Sequence, residues 1–330
     1  MMPLIVWGIG AFVLSFFLTL LVKRVAIHFG VVDRPAGDRK VHARPVALLG
    51  GVAIFVAITT IMIAILVTSD LLTSGEVARS PYIGVLLGGF VLMVGGFLDD
   101  RFELPPHATI IAPLVSALLA IGFGVQIEKL TNPFGGVLLL EGWQSDTLVF
   151  VWLMAVMYTT KFLDGLDGLA TSVTSVGVLM IMLLALTTAY YQPDVALFAA
   201  VTLGAFLGFL FWNVHPASIF LGEGGSVFVG YMLGILAVIS GGKVATALLV
   251  LGIPLLDVLW VVLRRIRQGG MKRVIIGDKG HLHHRLLALG WGHSAIVAFY
   301  VAVAASFGMS ALFLQSQEKI VALLTLALIM

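Results

Sequence analysis

Apolar residues run along this chain in continuous stretches and seldom alternate with polar ones. Ten full stretches lie at 3–22, 46–68, 82–98, 108–123, 148–162, 169–190, 195–212, 227–239, 244–263 and 295–314, and an eleventh at 320–330. Runs of about 20 apolar residues predict membrane-spanning helices. The strands of an outer-membrane barrel would instead show about ten residues of alternating polarity. The stretches at 148–162 and 227–239 are short and are expected to extend into the polar segments beside them. The last reaches only about 16 Å at 1.5 Å per residue, too little for a hydrocarbon core of roughly 30 Å. No basic region or small-residue cleavage site precedes Lys23, so the first stretch reads as a span and not as a cleavable signal. The pattern predicts an all-α polytopic membrane protein with 10–11 transmembrane helices, forming one integral membrane domain over residues 1–330.

Composition agrees. Hydrophobic residues make up 60% of the 330 and charged residues 11%, against about 25% charged in a soluble domain. A soluble fold cannot cover that much apolar surface. A cytosolic globular enzyme, a disordered chain and a nucleic-acid binder with a basic tail are excluded, and nucleic acid is not an expected partner. With no cysteine there is no thiol chemistry, Cys-ligated metal or disulfide scaffold.

The charges sort by connection. Residues 23–45, 99–107, 161–168, 213–226 and 264–294 hold 15 of the 19 basic residues; the alternate connections hold only Arg79, Lys129, Lys243 and Lys319. All eight histidines fall in the first set. The positive-inside rule places that set in the cytoplasm and the N-terminus outside. On the opposite side, the long connection 124–147 reads as two short extended runs about a turn at Asn132-Pro133 and Gly135-Gly136. The pairs Gly84/Gly88, Gly204/Gly208 and Gly230/Gly234 read as sites of close helix packing.

Five cytoplasmic clusters carry the candidate chemistry. In DRPAGDRKVHARPVALLGG (33–51), four basic residues and His42 lead into a glycine pair; anchoring and substrate contact both fit. In GFLDDR (96–101), the adjacent carboxylates of Asp99 and Asp100 repel unless a cation sits nearby, and magnesium suits carboxylate oxygens and phosphates together. In KFLDGLDGLA (161–170), Asp164 and Asp167 either share a helical face or sit in a turn unwound by their glycines, with Lys161 one turn earlier. NVHPASIFLGEGGS (213–226) sets Glu223, a candidate metal ligand, among glycines that could present N–H groups to a phosphate. GDKGHLHHRLLALG (277–290) crowds His281, His283, His284 and Arg285. It lacks HExxH, and anion binding suits it better than zinc. Carboxylates and cations gathered on one membrane side suit a divalent ion clamped on a pyrophosphate, the arrangement of in-line phosphoryl transfer.

In this order, the motifs resemble those of the polyprenyl-phosphate N-acetylhexosamine-1-phosphate transferases (glycosyltransferase family 4). HLHHRL looks more like the GlcNAc-1-phosphate branch than the phospho-N-acetylmuramoyl-pentapeptide transferases, which usually carry three consecutive histidines. The resemblance implies a transfer in the bacterial cytoplasmic (inner) membrane. Sugar-1-phosphate, expected to be GlcNAc-1-phosphate, passes from a UDP-N-acetylhexosamine to polyprenyl (undecaprenyl) phosphate, releasing UMP. That is the first membrane step of a cell-envelope glycan such as lipopolysaccharide or teichoic acid. The resemblance also implies Mg2+, with Mn2+ as a substitute, and suggests a homodimer.

By motif position, Asp99, Asp100, Asp164 and Asp167 match the catalytic carboxylates, and Glu223, with Asp99 and Asp164, the metal ligands. Lys40, His42, Lys161, Asn213, Phe220, His281, His283, His284 and Arg285 are the substrate-binding candidates, Phe220 being expected to stack on uracil. Three positions depart from the family pattern: Glu223 stands for an Asp, and Tyr158 and Lys161 for two asparagines. Two further readings compete. Asp164 to Ala170 opens like the motif of CDP-alcohol phosphatidyltransferases, but the Arg and further aspartates are missing. An ion-coupled transporter would place its carboxylates at the bilayer midplane and show internal repeats, whereas these lie at one boundary.

Overall fold

The computed structural model describes residues 1–34, 45–131, 136–241, 243–269 and 280–314, with 318–319, 321–323 and 325. Lys40, His42, the turn residues 132–135 and most of the stretch 320–330 lie outside them. In chain order the helices are α1 (Met2–His28), α2 (Gly50–Thr68), α3 (Arg79–Phe102), α4 (Pro106–Thr109), α5 (Ile111–Gly122), α6 (Gly142–Leu163) and α7 (Leu169–Leu186). Then come α8 (Pro193–Asn213), α9 (Gly222–Ile239), α10 (Val244–Val250), α11 (Gly252–Gly269), α12 (Leu282–Ala288) and α13 (His293–Phe313). Two antiparallel ribbons complete the order: β1 (Val32–Asp33) with β2 (Val46–Ala47), and β3 (Lys129–Thr131) with β4 (Val137–Leu139). The second ribbon is the pair of extended runs expected between 124 and 147.

Among the described residues, eight helices (α1, α2, α3, α6, α7, α8, α9 and α13) are long and apolar enough to cross a bilayer. Two of the other expected spans differ in kind. The stretch 244–263 is broken into α10 and α11, bent by 76°. Gly252 and Pro254 account for the bend, because proline lacks the N–H of an unbroken helix and crowds the preceding turn. The stretch 108–123 falls on α4 and α5, which together run from Pro106 to Gly122 and are shorter than the eight spans. The helices α6 and α9 extend to Gly142 and Gly222, into the polar segments beside 148–162 and 227–239 as expected.

The bundle is organised around α9. In its most apolar window 83% of residues are buried, against 17% in α1 and 28% in α13. It packs against α2, α3, α6 and α7, while α1 lies along α8 and α2 at one side. The glycine pairs serve these contacts. A Cβ at Gly204 would fall on the carbonyl oxygen of Gly8 and one at Gly208 on that of Phe12. At the same seam Ser15 Oγ donates to the Ala205 carbonyl at 2.7 Å. Gly84, Gly88, Gly230 and Gly234 likewise meet neighbouring helices, as small residues do where membrane helices approach closely.

Gly204→Ala is therefore expected to destabilise the protein by about 1–3 kcal/mol through overpacking. Gly122→Ala, with no atom within 4 Å of the added Cβ, should be neutral or gain up to about 1 kcal/mol from helix propensity. Thermal unfolding of the two variants in detergent checks this; equal midpoints would contradict the packing argument.

Candidate active site

The carboxylates predicted from separate clusters meet at one end of the bundle. Asp99 and Asp100 occupy the last turn of α3 and part company there. Asp99 Oδ1 accepts the Leu104 N–H at 3.0 Å and so closes the helix end. Asp100 accepts the Glu223 N–H, 3.1 Å from Oδ1 and 3.3 Å from Oδ2. That bond places a carboxylate on the N-terminal end of α9, where free N–H groups favour negative charge. Gly222, with φ +76°, makes the turn into α9, and a Cβ there would strike the Asp100 carboxylate. A Cβ at Gly96 would fall on the Gly224 Cα. The glycines around Glu223 thus let α3 and α9 touch backbone to backbone. This differs from the expected phosphate-cradling loop: the Glu223 N–H is given to Asp100, and the glycines serve packing.

The DGLDG segment is unwound. Helix α6 ends at Leu163 and α7 begins at Leu169, so Asp164 and Asp167 do not share a helical face. Asp167 Oδ2 accepts from the Ala217 N–H at 3.0 Å and lies 2.7 Å from His215 Nδ1. Burial first, and then the charges of Glu223, Asp167 and Asp100, push the Asp164 carboxyl up to about 8. Asp99 and Asp100 feel Glu223 as well. Lys161, near the end of α6, sets its Nζ 2.6 Å from Glu223 Oε2.

The histidine segment closes the site. Asp257 on α11 lies with Oδ2 2.9 Å from His281 Nδ1 and accepts the Leu282 N–H on Oδ1 at 2.9 Å. Both Asp257 and His281 are buried, and the His281 ring stacks on Phe162 of α6. His283 is buried with its Nε2 against Gly165 of the unwound segment. His284 packs beside it, ring centroids 4.3 Å apart, and Arg285 is exposed on α12. Asn213 and Phe220 hold the 213–222 connection: Asn213 Nδ2 donates to the Ile219 carbonyl at 3.0 Å, and the Phe220 N–H donates to the Ala47 carbonyl at 2.8 Å. Asn213 is buried, and its amide braces this turn.

Sequence reasoning missed three residues here: Asp257, His215 and His293. A lone carboxylate inside the apolar run PLLDVLW is the kind of membrane-depth charge that signals a role, and it could have exposed Asp257. Among the described residues, the group whose ligand atoms all lie within 4.8 Å of one another is Asp167, His215 and His293, not the expected Asp99, Asp164 and Glu223. The two imidazoles stack, centroids 4.1 Å apart and planes 17° apart. Nitrogen lone pairs lie in the ring plane, so stacked rings do not converge on one ion; Asp167 and His215 share a hydrogen bond, and His293 stacks on His215. The carboxylates act on one another, Glu223 on Asp99, Asp100 and Asp164 alike, and Lys161 pairs with Glu223. That donor set and charge fit a hard divalent ion.

The model of "Glycosyl transferase family 4" matches residues 82–241, which span the four carboxylate positions and Glu223. A probable undecaprenyl-phosphate N-acetylglucosaminyl 1-phosphate transferase of Bacillus subtilis is 32% identical, covering 91% of this chain and 81% of that protein. The chain belongs to glycosyl transferase family 4. Its similarity extends to a decaprenyl-phosphate N-acetylglucosaminephosphotransferase of Mycolicibacterium smegmatis, 32% identical over 89% of this chain and 78% of that protein. A phospho-N-acetylmuramoyl-pentapeptide-transferase of Halalkalibacterium halodurans is 27% identical, over 92% and 96%. The family assignment bears out the resemblance read from the motifs and displaces the phosphatidyltransferase and transporter alternatives. The histidine helix α12 lies outside the matched residues of this family 4 chain and is joined to them through Phe162 and Gly165.

One consequence is measurable without substrate. Burial first, and then His284, His281 and His293, push the His283 ring down to about 3. The unfolded chain binds a proton near pH 6.5 that the folded chain refuses, so this contribution to stability is complete above pH 6.5 and falls as pH drops toward 3. The slope is at most about 1.4 kcal/mol per pH unit. Unfolding followed between pH 7 and 4 should show a steeper acid loss in the native protein than in His283→Gln. Parallel curves would refute it.

Proposed function

We propose that this family 4 protein transfers GlcNAc-1-phosphate from UDP-GlcNAc to a polyprenyl phosphate, giving polyprenyl-pyrophosphoryl-GlcNAc and UMP on the cytoplasmic face of a bacterial inner membrane. The observation that carries the reading is the convergence of Asp99, Asp100, Asp164 and Glu223 at one end of an apolar bundle, beside the histidine helix. The GlcNAc branch is favoured over the muramoyl-pentapeptide branch by relatives 32% identical over about nine-tenths of the chain, where the muramoyl-pentapeptide relatives reach 33% over 61% of it or 27% over 92%. The N-terminus is placed outside by the charge asymmetry of the connections.

The reaction is a displacement at phosphorus. A phosphate oxygen of the lipid bonds to the β-phosphorus of the nucleotide, and the bond from that phosphorus to the bridging oxygen breaks, leaving UMP. The lipid phosphate, with a second pKa near 6, is already mostly a dianion at pH 7, so proton removal is not required. Asp99, Asp164 and Glu223 would hold Mg2+, which supplies charge neutralisation at the phosphates. Leu49, Val52, Met93 and Phe97 line a small crevice together with Asp100. His283 and His284 would each offer a ring N–H to the phosphates, and His281, whose Nδ1–H goes to Asp257, orients the start of the histidine helix beside them. Asp167 holds the 213–217 turn through Ala217 and His215.

The purified protein with Mg2+, polyprenyl phosphate and a panel of UDP-sugars should release UMP, with the lipid product identified by mass. UMP release from no UDP-N-acetylhexosamine would sink the proposal. Asp100→Asn should lose roughly a hundredfold or more in turnover, and the loss should persist at high pH. Recovery above pH 8 would instead make Asp100 a proton acceptor.

A further inference from the structure

Three positions depart from the family pattern, and the fold makes neighbours of them. Tyr158 and Lys161 lie one turn apart on α6. Glu223 stands in the first turn of α9, and its carboxylate meets the Lys161 ammonium with Nζ 2.6 Å from Oε2. Tyr158 lies in the field of both charges. The pair is partly buried: the side chains are 23% and 43% exposed, and the Glu223 Oε2 that meets the ammonium is itself shut off from solvent. Exposed ion pairs add little stability and buried ones often no more than a hydrophobic contact would, so stability does not account for this one.

Its surroundings suggest what does. Lys161 also acts on Asp99 and Asp100, so its ammonium stands among several carboxylates. A divalent ion attracted to Glu223 meets that ammonium already there. Like charges a few ångströms apart repel strongly in a partly buried site. Lysine is a point charge on a flexible four-carbon stem with three donors, and so can leave one anion for another.

We propose that Lys161 is a resident cation of the site, competing with the divalent metal for Glu223 and passing to the pyrophosphate of the sugar nucleotide when the metal binds. This rests on the reading of the carboxylates as a metal site. In the resting protein the ammonium offsets the carboxylate repulsion. With substrate present, the metal and the freed ammonium both face the phosphates, and transferred charge is met by one fixed and one mobile cation.

Mn2+ binding to the purified full-length protein, followed by electron paramagnetic resonance without substrates, tests the first half. Lys161→Met should bind Mn2+ roughly tenfold tighter than the native protein, as expected from removing a competing unit charge. Glu223→Gln should bind it more weakly. Equal or weaker binding by Lys161→Met overturns the proposal while leaving the metal reading intact; no Mn2+ binding by native protein or variant overturns both. A measurement on the native chain guards against a misfolded variant. Labelling of Lys161 by an amine-reactive reagent, read by mass spectrometry, should accelerate when Mg2+ is added; an unchanged rate counts against displacement. At saturating Mg2+, kcat/KM of Lys161→Met for UDP-GlcNAc should fall roughly tenfold, the loss of one charge-assisted contact. An unchanged value removes the pyrophosphate role.

Discussion

The hydrogen bond from the Glu223 N–H to Asp100 is the contact on which the rest of the site depends. It ties the end of α3 to the start of α9, and it exists because Gly96 and Gly224 let the two backbones touch. Any side chain at that crossing would separate the helices by an atom's width and pull apart carboxylates that lie 123 positions apart in sequence. Helix association in a bilayer lacks the hydrophobic drive available in water and relies on such close packing. Here the packing that holds the bundle also sets the spacing of the chemistry.

Close packing creates a charge problem, met locally. Asp99 spends one oxygen on a helix end and Asp100 on a helix beginning; Asp167 braces a turn and Glu223 holds a lysine. Asp164, in the unwound segment, is pushed toward its neutral form by burial and by the charges of Glu223, Asp167 and Asp100. A site built this way is poised for an added cation, since a charge of +2 relieves several repulsions at once.

Much of this was legible in the sequence, and the parts that were not share a cause. Apolar runs and one-sided charge gave the helices and the grouping of the acidic clusters, because hydropathy and charge placement are local properties. The bend at Gly252 and Pro254 was visible as residues but not as a 76° turn, since its angle depends on what α11 packs against. The unwound Asp164–Gly168 segment was one of two readings that spacing allows. Asp257 hid inside an apolar stretch, and its partner His281 lies 24 residues on. The Lys161–Glu223 pair was seen only as two separate departures, because contact between α6 and α9 is a tertiary fact.

The burial of α9 has a consequence of its own. A helix surrounded by protein over most of its length meets almost no acyl chain. Changes in bilayer thickness or lipid composition press on α1 and α13, whose faces are open, and reach α9 only through its neighbours. Its neighbours α3 and α6, which bring Asp99, Asp100 and Lys161 to the site, are 50% and 44% buried in their most apolar stretches, so a change in the bilayer reaches the reactive end through them.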